Sequence, residues 1–111
     1  MKTIAFIDLG TNSCRLTIAK IMDNGVFSEI GRYKEVVRLG TGEFETNHLT
    51  EEAMERTIFV LKQFAAISEK FNVDGIFGVA TAAVREAENK LEFIARAKEE
   101  SGIDLKIVSG I

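Results

Sequence analysis

Groups that bind phosphate and metal ions lie close together near the start of the chain. Asp8 ends an apolar run, and Arg15 lies two residues beyond a short polar turn. The turn consists of Gly10, Thr11, Asn12 and Ser13. Backbone N–H groups in such a turn can surround a phosphate, and a guanidinium can bind one through two hydrogen bonds. These residues therefore predict a site for a phosphorylated compound at a strand–turn–strand hairpin.

Each residue of this hairpin also has an ordinary structural interpretation. The Asp8 carboxylate either holds Mg²⁺, which prefers oxygen ligands and keeps part of its water shell, or caps the turn by accepting the N–H of Gly10 or Thr11. The loop follows neither the Walker pattern nor G-x-G-x-x-G, so its composition also fits a plain hairpin turn. Arg15 alone also fits a solvated charge on a strand.

Thr81 and Arg85 form a second candidate group, just after a later apolar strand. Thr81 is expected to cap a helical turn over residues 82–87. Open α/β sheets bind ligands at the carboxyl ends of their strands, and helix N-termini favour anions, so Arg85 fits a phosphate ligand. Its alternative is an ion pair with Glu86 or Glu88.

Composition narrows the class of protein. The chain has 111 residues, enough for one domain, and a formal net charge of −3, which does not support a nucleic-acid or anionic-membrane partner. No segment approaches the roughly 18 apolar residues of a membrane span. Cys14 is the single cysteine, so no intrachain disulfide forms. This fits a cytoplasmic protein in which Cys14 is a small buried apolar residue.

The periodicity of apolar residues predicts the order β-β-β-α-β-α-β, an α/β fold with a mixed five-stranded sheet and helices packed on its faces. The predicted strands cover residues 3–8, 14–22, 26–38, 75–80 and 105–108, and the predicted helices cover residues 51–70 and 90–101. The first strand is nearly all apolar, so we expect both of its faces to be covered. Gly31 marks a bulge in the third strand, and residues 39–49 are expected to form a loop.

Turns and helix caps are also readable from the sequence. Asn24 and Gly25 predict a hairpin turn in which both residues have positive φ. Thr50 is expected to cap the long helix through its side chain. Asn89 is expected to cap the last helix, with Glu92 as the reciprocal partner of a capping box.

Four segments, in order and over the whole chain, resemble the exopolyphosphatase / guanosine pentaphosphate phosphatase (Ppx/GppA) family. Residues 7–16 (IDLGTNSCRL) resemble its first phosphate loop. Residues 38–40 (RLG) and 49–53 (LTEEA) resemble the segment before its first long helix. Residues 79–87 (VATAAVREA) and 107–110 (IVSG) resemble its A-T-x-x-x-R-x-A and S-G-x-E-E-A stretches.

The resemblance implies a ribonuclease H-like (actin-like ATPase) half-domain. It implies a hydrolase that releases orthophosphate from the end of inorganic polyphosphate, or the γ-phosphate from guanosine pentaphosphate. By position, Asp8 would hold Mg²⁺ and Arg85 would act as a catalytic residue that stabilises charge on the transferring phosphoryl group. The substrate phosphates would be bound by Gly10, Thr11, Asn12, Ser13, Arg15 and Thr81.

In this family a Glu soon after the Ser-Gly pair activates water, and a second phosphate loop and a second domain follow. We therefore expect residues 1–111 to be a single truncated N-terminal domain that is inactive alone. Exposed sheet edges and apolar surface predict self-association, such as a homodimer. Two alternatives stay open, an ATP-using kinase half-domain of the same fold and a non-catalytic phosphate-binding or assembly module.

Overall fold

The computed structural model describes residues 1–109 of the chain. All five strands of these residues belong to one mixed sheet. The elements of the chain are β1 (Lys2–Leu9), β2 (Ser13–Ile21), β3 (Phe27–Val36), α1 (Glu43–Thr46), α2 (Glu51–Lys70), β4 (Gly75–Ala80), α3 (Ala82–Glu86), α4 (Lys90–Ser101) and β5 (Leu105–Ile107). The strands lie in the order β3-β2-β1-β4-β5; β1–β2 and β2–β3 are antiparallel, whereas β1–β4 and β4–β5 are parallel. The predicted α/β fold with a mixed five-stranded sheet is confirmed. The last predicted motif ends at Gly110, which lies outside the described residues.

The core lies between one face of the sheet and helices α2 and α4. Side chains alternate along a strand, so Ala5, Ile7 and Leu9 of β1 all point into this core and are fully buried. The three- and four-residue spacing of apolar residues predicts a buried stripe on α2 that consists of Met54, Ile58, Leu61, Phe64 and Ala65. The first four are buried as predicted, and Ala65 is partly buried. Among the described helices, none is long and apolar enough to cross a membrane.

The opposite face of the sheet, here called the outer face, is partly exposed. Phe6 of β1 is 41 % exposed, and Phe77, its partner on β4, is 57 % exposed. The expectation that both faces of β1 are covered is therefore wrong for the described part of the chain. The physical reason is that α2 and α4 contribute to the core on the other face alone.

Two local predictions near turns need correction. The β2–β3 turn has positive φ at Gly25 (87°) but not at Asn24, whose side chain instead accepts the N–H of Val26 at 3.1 Å. It is therefore a longer turn closed by a left-handed glycine, not the two-residue type. The predicted loop over residues 39–49 contains α1, a single turn between left-handed Gly42 and Asn47, too short to show an apolar period. The bulge predicted at Gly31 is present. Ile18 of β2 pairs with Gly31, whereas the next residue, Ala19, pairs with Glu29, so β3 has one extra residue beside Gly31.

Two of the predicted helix caps, at Thr50 and Asn89, have different outcomes. Thr50 caps α2 as predicted, because its side chain accepts the N–H of Ala53 at 3.1 Å. Asn89 precedes α4 but makes no side-chain cap, so the capping box with Glu92 is wrong. The Asn89 amide instead bonds both backbone groups of Leu49, at 2.8 and 3.0 Å, which is a contact across the fold.

The outer face is the surface through which we expect the chain to self-associate. It carries the apolar Phe6 and Phe77 beside charges of both signs, including Asp8, Arg15 and Lys34. A two-fold axis can bring the exposed phenylalanines of two copies into contact. We therefore expect a concentration-dependent dimer by analytical ultracentrifugation, which Phe6→Thr weakens while keeping strand propensity.

The matched control is Phe59→Gln, which removes a phenylalanine that is 61 % exposed on α2. It should leave the dimer unchanged. A monodisperse monomer at all concentrations, or equal weakening by both variants, would contradict association through the outer face.

Candidate functional site

The β1–β2 hairpin places the predicted carboxylate and guanidinium side by side. Asp8 and Arg15 are direct cross-strand partners, so their side chains project from the same, outer face of the sheet. The loop between them is closed by a hydrogen bond of 2.9 Å from the N–H of Gly10 to the carbonyl of Ser13. No ion pair joins Asp8 to Arg15 among the salt bridges of residues 1–109, so neither charge is neutralised by the other through direct contact.

Backbone hydrogen bonds orient this loop. The carbonyl of Thr11 accepts the N–H of Gly40 at 3.2 Å, and the carbonyl of Asn12 accepts the N–H groups of Val37 and Arg38 at 2.8 and 3.0 Å. Within residues 1–109, the N–H groups of Thr11 and Asn12 donate to no protein acceptor. The loop thus presents free donors on a hairpin whose carbonyls at Thr11, Asn12 and Ser13 already accept hydrogen bonds, which suits an anion.

A cleft of about 230 Å³ lies at this loop. It is lined by Asp8, Gly10, Asn12, Ser13 and Arg15. The structure therefore brings together five of the residues that the sequence singles out. The cleft holds one carboxylate, one guanidinium, one hydroxyl and one amide, which are groups that can bind a phosphate and a hydrated cation.

Thr81 adjoins the same loop but plays a different part from the one predicted. Its N–H and its hydroxyl both donate to the carbonyl of Leu9, at 3.0 and 3.2 Å. The predicted side-chain cap of the following helical turn is wrong, because this hydroxyl is engaged by the end of β1 instead. Thr81 thereby ties the start of α3 to the strand that carries Asp8.

Arg85 is not among the residues that line the cleft. Its Nε donates to Glu86 Oε1 at 3.2 Å, which is the ion pair weighed as an alternative. Another guanidinium nitrogen donates to the carbonyl of Val108 at 3.1 Å. Arg85 therefore links α3 to the segment after β5, and its assignment as a phosphate ligand stays a prediction.

Thr11 faces a neighbouring cavity of about 400 Å³. Sequence reasoning missed the acidic residues of this cavity, Glu43 and Glu86. Burial, and secondly the charge of Glu86, raises the pKa of the Glu43 carboxyl. Its Oε2 atom is buried and finds no hydrogen-bond partner in the described part of the chain. No sequence signal identified Glu43, since it lies in the short helix α1 that the pattern did not predict.

The donor set restricts how a metal ion can bind. Residues 1–109 contain no group of three or more His, Cys, Asp or Glu side chains placed to hold one. A single carboxylate at Asp8, next to the hydroxyl and amide of the loop, fits an ion that keeps several waters and takes its other ligands from a bound phosphate. Mg²⁺ meets that description, whereas a cation that requires a full protein cage does not.

Cys14 is buried, as predicted. Burial, and secondly the charge of Asp8, raises the pKa of its thiol to about 12. The reactive thiolate is therefore scarce at neutral pH, and Cys14 acts as a small apolar residue of the core.

The strand order and the hairpin site define the class of protein. A sheet of order β3-β2-β1-β4-β5 whose last two crossovers are helical is the ribonuclease H-like, actin-like ATPase fold. The ethanolamine utilization protein EutJ from Carboxydothermus hydrogenoformans shares this fold, with a TM-score of 0.54 at 10 % identity.

The chain belongs to the Ppx/GppA phosphatase family, whose family model matches residues 17–111. It is 39 % identical to a bifunctional 3-dehydroquinate synthase/phosphatase of Fusobacterium nucleatum subsp. nucleatum, over 96 % of this chain and 17 % of that protein. The crystal structure of the Aquifex aeolicus Ppx/GppA phosphatase matches with a TM-score of 0.92 and 39 % identity, over 98 % of this chain and 36 % of that one. An exopolyphosphatase from Cytophaga hutchinsonii matches with a TM-score of 0.92 and 35 % identity, over 98 % of this chain and 35 % of that one. The chain thus spans about a third or less of the length of these relatives.

The raised pKa of Glu43 predicts a pH-dependent gain in stability from Glu43→Gln. The folded state holds the Glu43 proton more tightly than the unfolded state, so this residue lowers stability as pH rises above its ordinary pKa of 4.5. At pH 7 the neutral amide should raise the thermal midpoint by a few degrees. The gain should vanish on acidification below that value, where the carboxyl is protonated in both states.

The control is Glu45→Gln, which removes an exposed charge from the same helical turn. It should change the midpoint little at either pH. If both variants gain equally at pH 7, the effect comes from net charge and not from burial of Glu43.

Proposed function

We propose that this chain is the phosphate-binding part of an exopolyphosphatase or guanosine pentaphosphate phosphatase. The reaction is hydrolysis of a terminal phosphoanhydride bond of inorganic polyphosphate, or of the γ-phosphate of guanosine pentaphosphate, with release of orthophosphate. Family membership and the likeness to the Cytophaga exopolyphosphatase support this assignment. A cytoplasmic location, without nucleic-acid or membrane partners, is part of the same proposal.

The observation that carries the proposal is the set of free backbone donors on the hairpin loop. The N–H groups of Thr11 and Asn12 have no protein acceptor within residues 1–109, and the Ser13 side chain and the Arg15 guanidinium line the same cleft. In phosphoryl transfer the protein supplies mainly positioning and charge stabilisation, so such a loop can hold the phosphate in line with its attacking water. Gly10 also lines this cleft.

Other residues have supporting roles in this proposal. Asp8 holds Mg²⁺, which when bound neutralises part of the phosphate charge. Thr81 fixes the end of β1 and borders the phosphate site, and Arg85 stabilises the transferring group in a chain as long as the relatives. The family resemblance assigns water activation to a Glu beyond residues 109–110, so we propose that these 111 residues bind phosphates without turning them over.

Binding can be measured on the chain itself by NMR titration with tripolyphosphate. We expect millimolar affinity, with the largest amide shifts at Thr11, Asn12 and Ser13. Arg15→Gln should weaken binding by about tenfold, the loss of one charge-assisted hydrogen bond to the anion. The same samples should release no orthophosphate above a buffer blank.

Arg32→Gln is the matched control, because it removes an equal charge from the same face while Arg32 is paired with Glu29 at 2.7 Å. It should bind nearly as the unmodified chain does. Equal losses in both variants would point to net charge alone, and steady phosphate release would contradict the proposed inactivity.

The role of Arg85 requires a chain that continues to the length of the relatives. Arg85→Ala there should lower kcat on polyphosphate by a factor on the order of 10² to 10³, as for loss of a transition-state charge ligand. Arg96→Ala, at an arginine bonded to Glu51 on the helical side, is the control. An unchanged kcat would leave Arg85 as a structural link to Val108 only.

A further inference from the structure

Residues 37–40, here called the clamp segment, lie against the carbonyl side of the hairpin loop. Three of their N–H groups, from Val37, Arg38 and Gly40, donate to carbonyls of that loop. The approach is close, since a Cβ atom at Gly40 would lie 2.6 Å from the Thr11 methyl carbon. The position and tilt of the loop are therefore set by this segment.

The same bonds determine where the loop donors point. In a trans peptide the C=O of one residue and the N–H of the next point in opposite directions, and all described peptide bonds are trans. Because the Thr11 carbonyl points to Gly40, the N–H of Asn12 points away from the clamp segment. The Asn12 carbonyl points to Val37 and Arg38, so the N–H of Ser13 also points away from the clamp segment.

The clamp segment has an unfavourable backbone conformation of its own. Arg38 has φ of 49°, in the left-handed region that residues with a side chain rarely adopt. Val37 and Leu39, on either side of it, are fully buried and fix the segment to the core. The carbonyls of Val37 and Arg38 accept hydrogen bonds from one further side chain.

Arg56 of α2 supplies that interaction. Its Nε donates to the carbonyl of Val37 at 2.6 Å, and a terminal nitrogen donates to the carbonyl of Arg38 at 3.0 Å. One guanidinium thus bonds the carbonyls of two consecutive residues, a geometry that the planar fork of arginine matches and a lysine ammonium does not. The helix that carries Arg56 is itself capped by Thr50 and packed on the core.

We propose that Arg56 is a positioning residue for phosphate binding, which it supports from outside the cleft. Arg56 holds the carbonyls of Val37 and Arg38. The N–H groups of the clamp segment in turn hold the carbonyls of Thr11 and Asn12. The N–H groups of Asn12 and Ser13 are thereby directed at the phosphate. This inference rests on the proposed function, because it assumes that the loop binds phosphate.

The experiment compares Arg56→Gln and Arg56→Lys with the unmodified chain. Hydrogen exchange is measured at the amides of Val37, Arg38 and Gly40, and tripolyphosphate affinity is measured by the NMR titration. Arg56→Gln should speed exchange at these amides and weaken binding by about three- to tenfold, the range of one or two hydrogen bonds. Arg56→Lys should restore part of both, since an ammonium can bond one carbonyl at a time.

Arg96→Gln is the control, because it removes an arginine from the helical layer that bonds Glu51 and not the clamp segment. It should change neither measurement. Faster exchange in Arg56→Gln with unchanged affinity would overturn the positioning role, and so would lost affinity with unchanged exchange. If Arg56→Gln does not fold, Arg56→Lys decides by the same two measurements.

The two proposals fail in different ways. If the unmodified chain binds no tripolyphosphate, the proposed phosphate site is wrong, and Arg56 has no ligand-positioning role. If the unmodified chain binds and the Arg56 variants match it in both measurements, the phosphate site stands and the role of Arg56 is refuted.

Discussion

The carbonyl groups of Thr11 and Asn12 are held on one side of the hairpin loop, and the candidate site depends on that constraint. A short polar loop can adopt many conformations, and a free loop would lose conformational entropy whenever it bound an anion. Here the loop loses this conformational entropy on folding, because residues 37–40 bond to its carbonyls in the absence of a ligand. Val37 and Leu39 are fully buried, so the loop takes its geometry from the hydrophobic core.

The same core fixes which side chains accompany the loop. Ile7 and Leu9 are buried, so Asp8 between them must project from the outer face. The β1–β2 register then sets Arg15 opposite it. A register slip of one residue would turn charged groups inward and apolar groups outward, which the core does not tolerate. The placement of the two charged groups is thus a consequence of apolar packing.

What could be predicted from the sequence follows the range of the interactions. The Thr50 cap and the apolar stripe of α2 involve neighbours within one helix, and both were predictable. The partner of Asn89 lies 40 positions away, and the carbonyl that accepts from Arg85 lies 23 positions away. Such contacts exist only after the sheet has formed, so local patterns predicted a capping box at Asn89 and gave no sign of the bond from Arg85 to Val108. The proposed role of Arg56 could not be predicted for the same reason. Its partners are the backbone carbonyls of Val37 and Arg38, and a backbone carbonyl leaves no pattern in the sequence.

Electrostatics gives a physical reason for the proposed Mg²⁺. The chain has a net charge of −3, and Asp8 lines the very cleft that would receive a phosphate. Two unit charges of like sign 4 Å apart repel by about 4 kcal/mol at the effective dielectric of a protein surface. Arg15 on the neighbouring strand offsets part of that repulsion, but a polyphosphate brings several negative charges. A hydrated divalent cation held by the Asp8 carboxylate would supply positive charge in the cleft and offset this repulsion. The proposed role of Asp8 is therefore that of a cation ligand, whereas the turn cap lacks its Gly10 donor, because the N–H of Gly10 donates to the carbonyl of Ser13.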